Sequence, residues 1–278
     1  MSGHIVMGYD GSAEAQEALG WAAEEARRER RPLRIVHVGL GQGGSRALTE
    51  GVERARAEAP DVEITSSLEL RDSVPGTLVA VSTDARMLVV GARGLGGFAG
   101  LLLGSVSTAV AAHARCPVVV VRRRPGRSAV PLARPVVVGV DGSRTSIRAV
   151  DLAFDQASRL EAPLTAVHAW EMPALLGPTP AWTPEEIADR LVSEKALLAE
   201  SLAGHCDRYP DVEVRSTVRL GGAAEVVLAA AGDAQLVVLG SRGRGGFAGL
   251  LLGSVSHAVV HHATCPVAIV HPPHELDD

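Results

Sequence analysis

The chain states nearly the same sentence twice, and that repeat constrains its fold more than any other feature. Residues Gly91 to Val110 read GARGLGGFAGLLLGSVSTAV and Gly240 to Val259 read GSRGRGGFAGLLLGSVSHAV, differing only at Ala92/Ser241, Leu95/Arg244 and Thr108/His257. The match runs on through His113-Ala114-Arg115-Cys116-Pro117-Val118 and His262-Ala263-Thr264-Cys265-Pro266-Val267. The starts match as well: Ile5-Val6-Met7-Gly8-Tyr9-Asp10-Gly11-Ser12 pairs with Val136-Val137-Val138-Gly139-Val140-Asp141-Gly142-Ser143. The spacing between copies is 131 positions at Asp10/Asp141 and 149 at Gly91/Gly240, so the second half carries 18 more residues. The extra length falls around Glu171 to Glu185, where Pro173, Pro178, Pro180 and Pro184 cluster with Gly177. A chain of 278 residues thus divides into two units of ordinary domain size.

Within each half, apolar runs alternate with helical periodicity. In the first, strands are expected at 4–9, 33–38, 61–70, 87–91 and 117–122, and helices at 13–30, 45–58, 75–83 and 105–114. Ser12 is a fitting N-cap for the first helix, and Thr183-Pro184-Glu185-Glu186 is a helix start in the second half. Aromatic residues make up only 3% of the chain, so the core must be Val, Leu, Ile and Ala, as in parallel strands buried on both faces. Five strands alternating with four helices predict an α/β fold: two tandem, doubly wound, mostly parallel five-stranded sheets with helices on both faces, of the Rossmann-like type. The expected boundaries are a first domain over 1–124, an Arg- and Pro-rich linker over 125–134 and a second domain over 135–278.

The glycine-rich segment carries the chemistry. Gly91 ends a buried strand, Gly94, Gly96, Gly97, Gly100 and Gly104 follow, and Ser105-Val106-Ser107-Thr108 opens a helix. Such density of glycine is costly in backbone entropy and is tolerated where backbone approaches a ligand. In open α/β sheets ligands sit beyond the carboxyl ends of the strands, and a helix start there offers unpaired N–H groups to a phosphate. Ser105 could cap that helix or donate its hydroxyl to a phosphate oxygen. The apolar stretch Phe98-Ala99-Gly100-Leu101-Leu102-Leu103 would cover a ligand or form an interface, with nothing in the sequence to choose. A Walker A loop is excluded, because no Gly-Lys occurs and Lys195 is the only lysine. The dinucleotide fingerprint fits poorly, since the glycines follow the fourth strand. Asp10 and Asp141 instead close the first strand of each half, where a carboxylate can accept ribose hydroxyls or hold Mg²⁺ through water.

The spacing Gly91-x2-Gly94-x9-Gly104-Ser105, repeated as Gly240-x2-Gly243-x9-Gly253-Ser254, resembles the ATP-binding signature of universal stress proteins, as does an apolar strand ending in Asp-Gly-Ser. The likeness covers nearly the whole chain as a tandem two-domain member. It implies that Asp10 and Asp141 lie beside ribose and adenine, and that Val38 and Ala169 offer backbone groups and an apolar wall to adenine. It implies phosphate contacts from Gly94, Gly104, Ser105 and Ser107, and from Gly243, Gly253, Ser254 and Ser256. The flanking Gly11, Ser12, Gly91 and Val106, with Gly142, Ser143, Gly240 and Val255, complete the implied binding set. The cofactor implied is ATP, with Mg²⁺ as an option. The family also pairs last strands, so Val118–Val121 and Val267–Val270 are candidates to pair within one chain. One departure stands out: Leu220-Gly221-Gly222 follows the family pattern, whereas the first half has Leu70-Arg71-Asp72.

The remaining composition narrows partners. A net charge of −5 argues against a general nucleic-acid binder, and no segment approaches the apolar length of a membrane span. The run Arg122-Arg123-Arg124 with Arg127 and Arg134 reads as a solvated linker or an anchor for an anionic partner. Three cysteines, Cys116, Cys206 and Cys265, and no signal-peptide pattern lead to the expectation of a reducing cytoplasm without disulfides. His257 and His261 stand at helical spacing near Cys265, yet no acid joins them and their first-half counterparts are Thr108 and Ala112, so no metal site is expected. His37 and His168, at equivalent strand ends, are expected to be structural. Three functions remain in competition: an ATP-binding regulator acting through conformation, assembly or a protein partner; a slow ATPase or self-phosphorylating protein using Ser105 or Ser254; and a partner-binding module whose loops no longer hold nucleotide. No general base or phosphate-reaching lysine is evident, which disfavours fast phosphoryl transfer. A homodimer is compatible with the sequence.

Overall fold

In the computed structural model, residues 3–39, 42–96, 102–123, 134–172, 182–245 and 252–272 are described. In chain order the elements are β1 (Ile5–Gly8), α1 (Ala13–Glu29), β2 (Leu33–Val38), α2 (Gln42–Glu58), β3 (Ile64–Glu69), α3 (Val74–Val81), β4 (Met87–Gly91), α4 (Ser105–His113) and β5 (Val118–Val121). The second half continues with β6 (Val136–Gly139), α5 (Arg144–Arg159), β7 (Leu164–Trp170), α6 (Pro184–Leu202), α7 (His205–Arg208), β8 (Val214–Leu220), α8 (Ala223–Ala231), β9 (Leu236–Gly240), α9 (Ser254–His262) and β10 (Val267–Val270). The chain forms two compact units, Met1–Ala129 with Val260–Asp278, and Val130–Val259.

In the first unit the strands run in the order β3-β2-β1-β4-β5-β10. The first five are mutually parallel, and β10 lies antiparallel to β5 with Val267 opposite Val120 and Ile269 opposite Val118. The strands Val118–Val121 and Val267–Val270 therefore do pair. In the second unit the order is β9-β6-β7-β8, all parallel. Both orders reverse direction beside the first strand of each half, between β1 and β4 and between β6 and β9. That reversal opens a crevice at the carboxyl edge.

The local sequence explains the elements. β4 and β5 are buried at every position, which their unbroken Val, Leu and Met content satisfies. β3 and β8 are edge strands with no fully buried position, and β3 carries Thr65, Ser66 and Ser67. α1 lays Ala15, Ala18, Leu19, Ala22, Ala23 and Ala26 on the sheet, a small-residue stripe that lets helix and strands approach closely. It begins at the Ser12 cap and ends at Arg30 in the left-handed region with φ 50°.

The elements depart from expectation in details. β3 is shorter than 61–70, and α2 begins at Gln42, three residues before the expected 45. The short helix α7 was not anticipated. Gly204 at φ 77° separates it from α6, and its His205 stacks on Phe154 at 5.2 Å, beside Tyr209 at 5.7 Å from the same ring. That is tertiary packing overriding weak local propensity. The linker 125–134 lies outside the described residues except for Arg134, as do Pro173, Gly177, Pro178 and Pro180 of the insert. Phe98 to Leu101, with Gly97, and Phe247 to Leu251 also lie outside them. No helix among the described residues is long and apolar enough to cross a membrane.

Candidate functional site

The site in the first unit is assembled from the end of β1, the end of β4 and the start of α4. Gly8 sits level with Val36 of β2 and Val90 of β4, so the residues that follow β1 and β4 emerge together. Asp10 then faces back into its own turn and across to the glycine loop. Its Oδ1 accepts the Ser12 N–H and its Oδ2 accepts the Leu95 N–H, each at 2.9 Å. Gly11 between them has φ 83°, a conformation L side chains rarely adopt. Ser12 caps α1 by accepting the Ala15 N–H at 3.1 Å. A Cβ on Gly94 would collide with the Asp10 carboxylate, which accounts for glycine there without a ligand.

α4 starts at Gly104, whose N–H donates to the Ala92 carbonyl at 2.8 Å. Gly104 occupies the N-cap with extended dihedrals and supplies no side-chain cap. Ser105 is therefore not the cap; its side chain is exposed at the first helical position. The first N–H to return to the helix is that of Thr108, on the Gly104 carbonyl at 3.0 Å. The N–H groups of Ser105, Val106 and Ser107 form the open mouth of the helix, with its partial positive charge. The Ser107 hydroxyl is used internally: it is buried and donates to the Gly91 carbonyl at 2.7 Å, tying α4 to β4. What Ser107 offers outward is backbone.

The glycines divide by role. Gly91 serves packing, because a Cβ there would meet the Glu14 carbonyl carbon at 2.9 Å and the Ala15 nitrogen at 3.0 Å. At Gly104 a Cβ would make ordinary contacts, 3.5 Å to the Ala92 oxygen and 3.6 Å to the Arg93 Cα, and its φ of −79° suits any residue. Among the described residues no steric contact demands glycine at 104. A larger side chain there would grow into the gap between the helix mouth and the 92–94 backbone.

That gap belongs to a cavity of about 450 Å³, a size typical of small-molecule sites. Its lining includes the apolar residues Val36, Val38, Val74 and Leu78 together with Gly94, Gly104, Ser105 and Val106 of the glycine loop and helix mouth. Tyr9 also lines it, and burial raises its hydroxyl above the usual tyrosine pKa.

The second unit repeats the arrangement. Asp141 accepts the Ser143 and Arg244 N–H groups at 2.9 Å each, and Gly142 has φ 73°. Ser143 caps α5, accepting the Ser146 N–H at 3.2 Å. A Cβ on Gly243 would collide with Asp141, one on Gly240 would meet Thr145 at 2.7 Å, and one on Gly253 would rest 3.4 Å from the Ser241 oxygen. The Gly253 N–H donates to the Ser241 carbonyl at 2.7 Å, and Ser256 donates its hydroxyl to Gly240 at 2.6 Å. The cavity is about 590 Å³ and includes Ala169, Ser254 and Val255 in its wall.

Two features were not foreseen from the sequence. In the first unit Val74 and Leu78 of α3, at i, i+4 spacing, complete the apolar wall. In the second, Arg190 and Glu194 of α6 reach the cavity: Glu194 accepts from Arg190 at 2.6 Å and meets His168 Nε2 at 2.7 Å, while His168 Nδ1 donates to the Val140 carbonyl at 2.6 Å. His37, the first-half counterpart, donates to the Tyr9 carbonyl at 2.8 Å. Both histidines bind the backbone beyond the first strand. The departing loop starts its helix by other means: Ser73 caps α3 through the Gly76 N–H at 3.1 Å, whereas the second half turns on Gly221 at φ 139° and starts α8 at Gly222. Lys195 is exposed on α6 and is not among the residues lining the second cavity. Among the described residues no group of three or more His, Cys, Asp or Glu is arranged to hold a metal.

Comparison with known proteins agrees with the duplication. The universal stress protein family model matches residues 1–122 and again 133–271. A universal stress protein of Mycolicibacterium smegmatis is 40% identical over 293 residues, covering 96% of this chain and 97% of its own. One from Mycobacterium tuberculosis is 38% identical over 305 residues, covering 98% and 96%. A crystal structure of a universal stress protein from Archaeoglobus fulgidus shares the fold at a TM-score of 0.65 and 20% identity, over 98% of this chain and 99% of that one. With two family matches that together span the strands, turns and helix mouths described above, the chain belongs to the universal stress protein family as a tandem of two such domains.

Proposed function

We propose that each half binds one ATP and that occupancy regulates the protein under stress by setting its conformation or its hold on a partner. The observation that carries this reading is the open mouth of α4, repeated at α9, facing a cavity across a glycine whose side chain the protein could otherwise accommodate. A phosphate would take the N–H groups of Ser105, Val106 and Ser107, or of Ser254, Val255 and Ser256. Gly94 and Gly243 would bring loop backbone alongside. The adenine would lie on Val38 in one half and Ala169 in the other, with ribose between it and the Asp-Gly-Ser turn of residues 10–12 or 141–143. Asp10 and Asp141 each spend two lone pairs on backbone N–H groups and keep others for a ribose hydroxyl or a water on Mg²⁺.

Turnover is expected to be slow. No lysine lines either cavity, and Asp10 and Asp141 are engaged with backbone rather than poised as bases. The exposed Ser105 hydroxyl keeps slow self-phosphorylation as the second reading. We also propose a cytoplasmic location and a linker over residues 125–134 between a first domain, 1–124, and a second, 135–278. The test is calorimetric titration of the full chain with ATP, preceded by denaturing the purified protein and assaying the supernatant for carried-over nucleotide. The reading predicts two ATP per chain with micromolar affinity, about −8 kcal/mol. Absence of heat from nucleotide-free protein would overturn it, and turnover well above about 1 s⁻¹ would favour the enzyme.

A further inference from the structure

The two sites share a backbone frame but differ in the charge set around the phosphate end. Glu14, Arg93 and Leu95 in the first half correspond to Thr145, Arg242 and Arg244 in the second. In the first unit, Arg93 forks onto the Glu14 carboxylate at 3.1 Å through Nε and 2.5 Å through Nη2, so its charge is already matched. Leu95 projects into solvent, 75% exposed. The nearby cation Arg122 is spent on the carbonyls of Leu102, Val260 and His261, and burial lowers its pKa, with Arg93 adding to that effect.

In the second unit, Thr145 replaces the acid and its hydroxyl donates to the Arg242 carbonyl instead. Among the described residues neither Arg242 nor Arg244 has a carboxylate partner. Both line the cavity on either side of Gly243. The Arg244 guanidinium folds over the Asp141-Gly142 turn, with Nη2 3.5 Å from the Gly142 carbonyl, a long contact that a better acceptor would displace. Of the acids lining this cavity, Asp141 holds the Ser143 and Arg244 N–H groups through its two oxygens, Glu194 is held by Arg190 and His168, and Glu171 stands past the end of β7 near Gly222.

We propose that the second site discriminates among nucleotides by phosphate charge, with Arg242 and Arg244 as its specificity-determining residues, while the first site does not. This rests on the nucleotide reading above and assigns each half a different ligand class. The second takes a nucleoside triphosphate or diphosphate in preference to a monophosphate; the first accepts a nucleoside monophosphate nearly as well as a triphosphate. Guanidinium groups without acidic partners meet phosphate oxygens in charge-assisted, bidentate bonds, whereas a guanidinium already on a carboxylate has less to gain. A tenfold preference corresponds to about 1.4 kcal/mol, within the value of one hydrogen bond to a charged group.

The test uses the full chain with one site closed at a time by valine at Gly104 or Gly253, titrated with ATP, ADP and AMP. With the first site closed by G104V, ATP should bind at least about tenfold tighter than AMP, and R244L with R242A should bring that ratio near one. With the second closed by G253V, the ratio should be near one, and L95R combined with E14T should raise it by about tenfold. Because Leu95 and Arg244 are exposed, these changes leave the core intact, and the gain at the first site cannot be produced by misfolding. Equal ratios at the two sites, or a ratio at the second that survives R242A/R244L, would overturn the assignment while leaving nucleotide binding in place. No binding of any nucleotide at either site would overturn the nucleotide reading itself.

Discussion

The Leu95 N–H donates to Asp10 Oδ2 at 2.9 Å across 85 residues of chain, and the Arg244 N–H donates to Asp141 Oδ2 at the same distance across 103. Each bond joins the turn after the first strand of its half to the glycine loop after the fourth. The same carboxylates hold the N–H of Ser12 and Ser143 through their other oxygens. One acid in each half therefore fixes the position of one loop against the other, and the cavity is the space they leave.

Replacing Asp10 by Ala removes both acceptors at once. Hydrogen bonds to a charged group contribute roughly 1.5–3 kcal/mol each where buried, and less here because the Leu95 end is exposed. D10A should lower stability by about 2 kcal/mol and weaken ATP binding at the first site by about tenfold or more, while leaving the second unchanged. Denaturant unfolding and calorimetry read the two effects separately. D10N, which keeps one carbonyl acceptor, should fall between.

The two glycines of the loop should respond in opposite ways. G94A forces a methyl group against Asp10 and should destabilise the protein, with the loop displaced. G104A meets only ordinary contacts and should lower stability by no more than about 1 kcal/mol, the advantage of Gly over Ala at a helix N-cap. G104V should keep the fold and lose the nucleotide. Melting temperature against binding heat separates these outcomes; a G104V protein that binds ATP normally contradicts the cradle.

These residues also show how far the sequence could be read. The repeat, the turns after the first strands at Asp10 and Asp141, and the helix starts at Ser105 and Ser254 were legible because hydrophobic period and glycine spacing are local signals. The separate duties of Gly91 and Gly104 were not, since one is pressed against α1 and the other meets the 92–94 backbone only at ordinary contact distance, and both read as glycine in a line. Ser107 was expected to face phosphate; its hydroxyl instead ties α4 to β4, a contact that only the register of helix and strand determines. Glu194 was missed because its meaning depends on His168, 26 residues earlier and on another element.

At α6 the partners of Glu194 differ sharply in burial. The Glu194 side chain is 7% exposed and Arg190 is 56% exposed, while His168 is buried. E194A leaves the buried His168 and the neighbouring Arg190 without their shared carboxylate and should cost about 3 kcal/mol or more, whereas R190A should cost about 1 kcal/mol. Urea denaturation of the two variants checks the ordering. Equal costs would mean that the Glu194–His168 contact contributes little.

The cysteines should separate cleanly. Burial pushes the Cys116 thiol up to about 12, Cys265 is also buried, and Cys206 is exposed. At about pH 8 a thiol reagent should label Cys206 rapidly and the other two only on unfolding, because the thiolate is the reactive form. For Cys116 the folded pKa lies above its ordinary value of 9.0, so the stability gained by keeping it protonated is complete below that value and is lost as pH rises toward 12. Quantitative alkylation in native and denaturing buffer gives the count directly.

The central claim is that backbone N–H groups at two helix mouths bind the phosphates, and amide hydrogen exchange with and without ATP tests it at those groups. Peptides spanning Gly104 to Thr108 and Gly253 to His257 should exchange more slowly with ATP bound, together with the turns at 10–12 and 141–143. ATP that binds with measurable heat yet leaves the exchange of those amides unchanged would contradict the account.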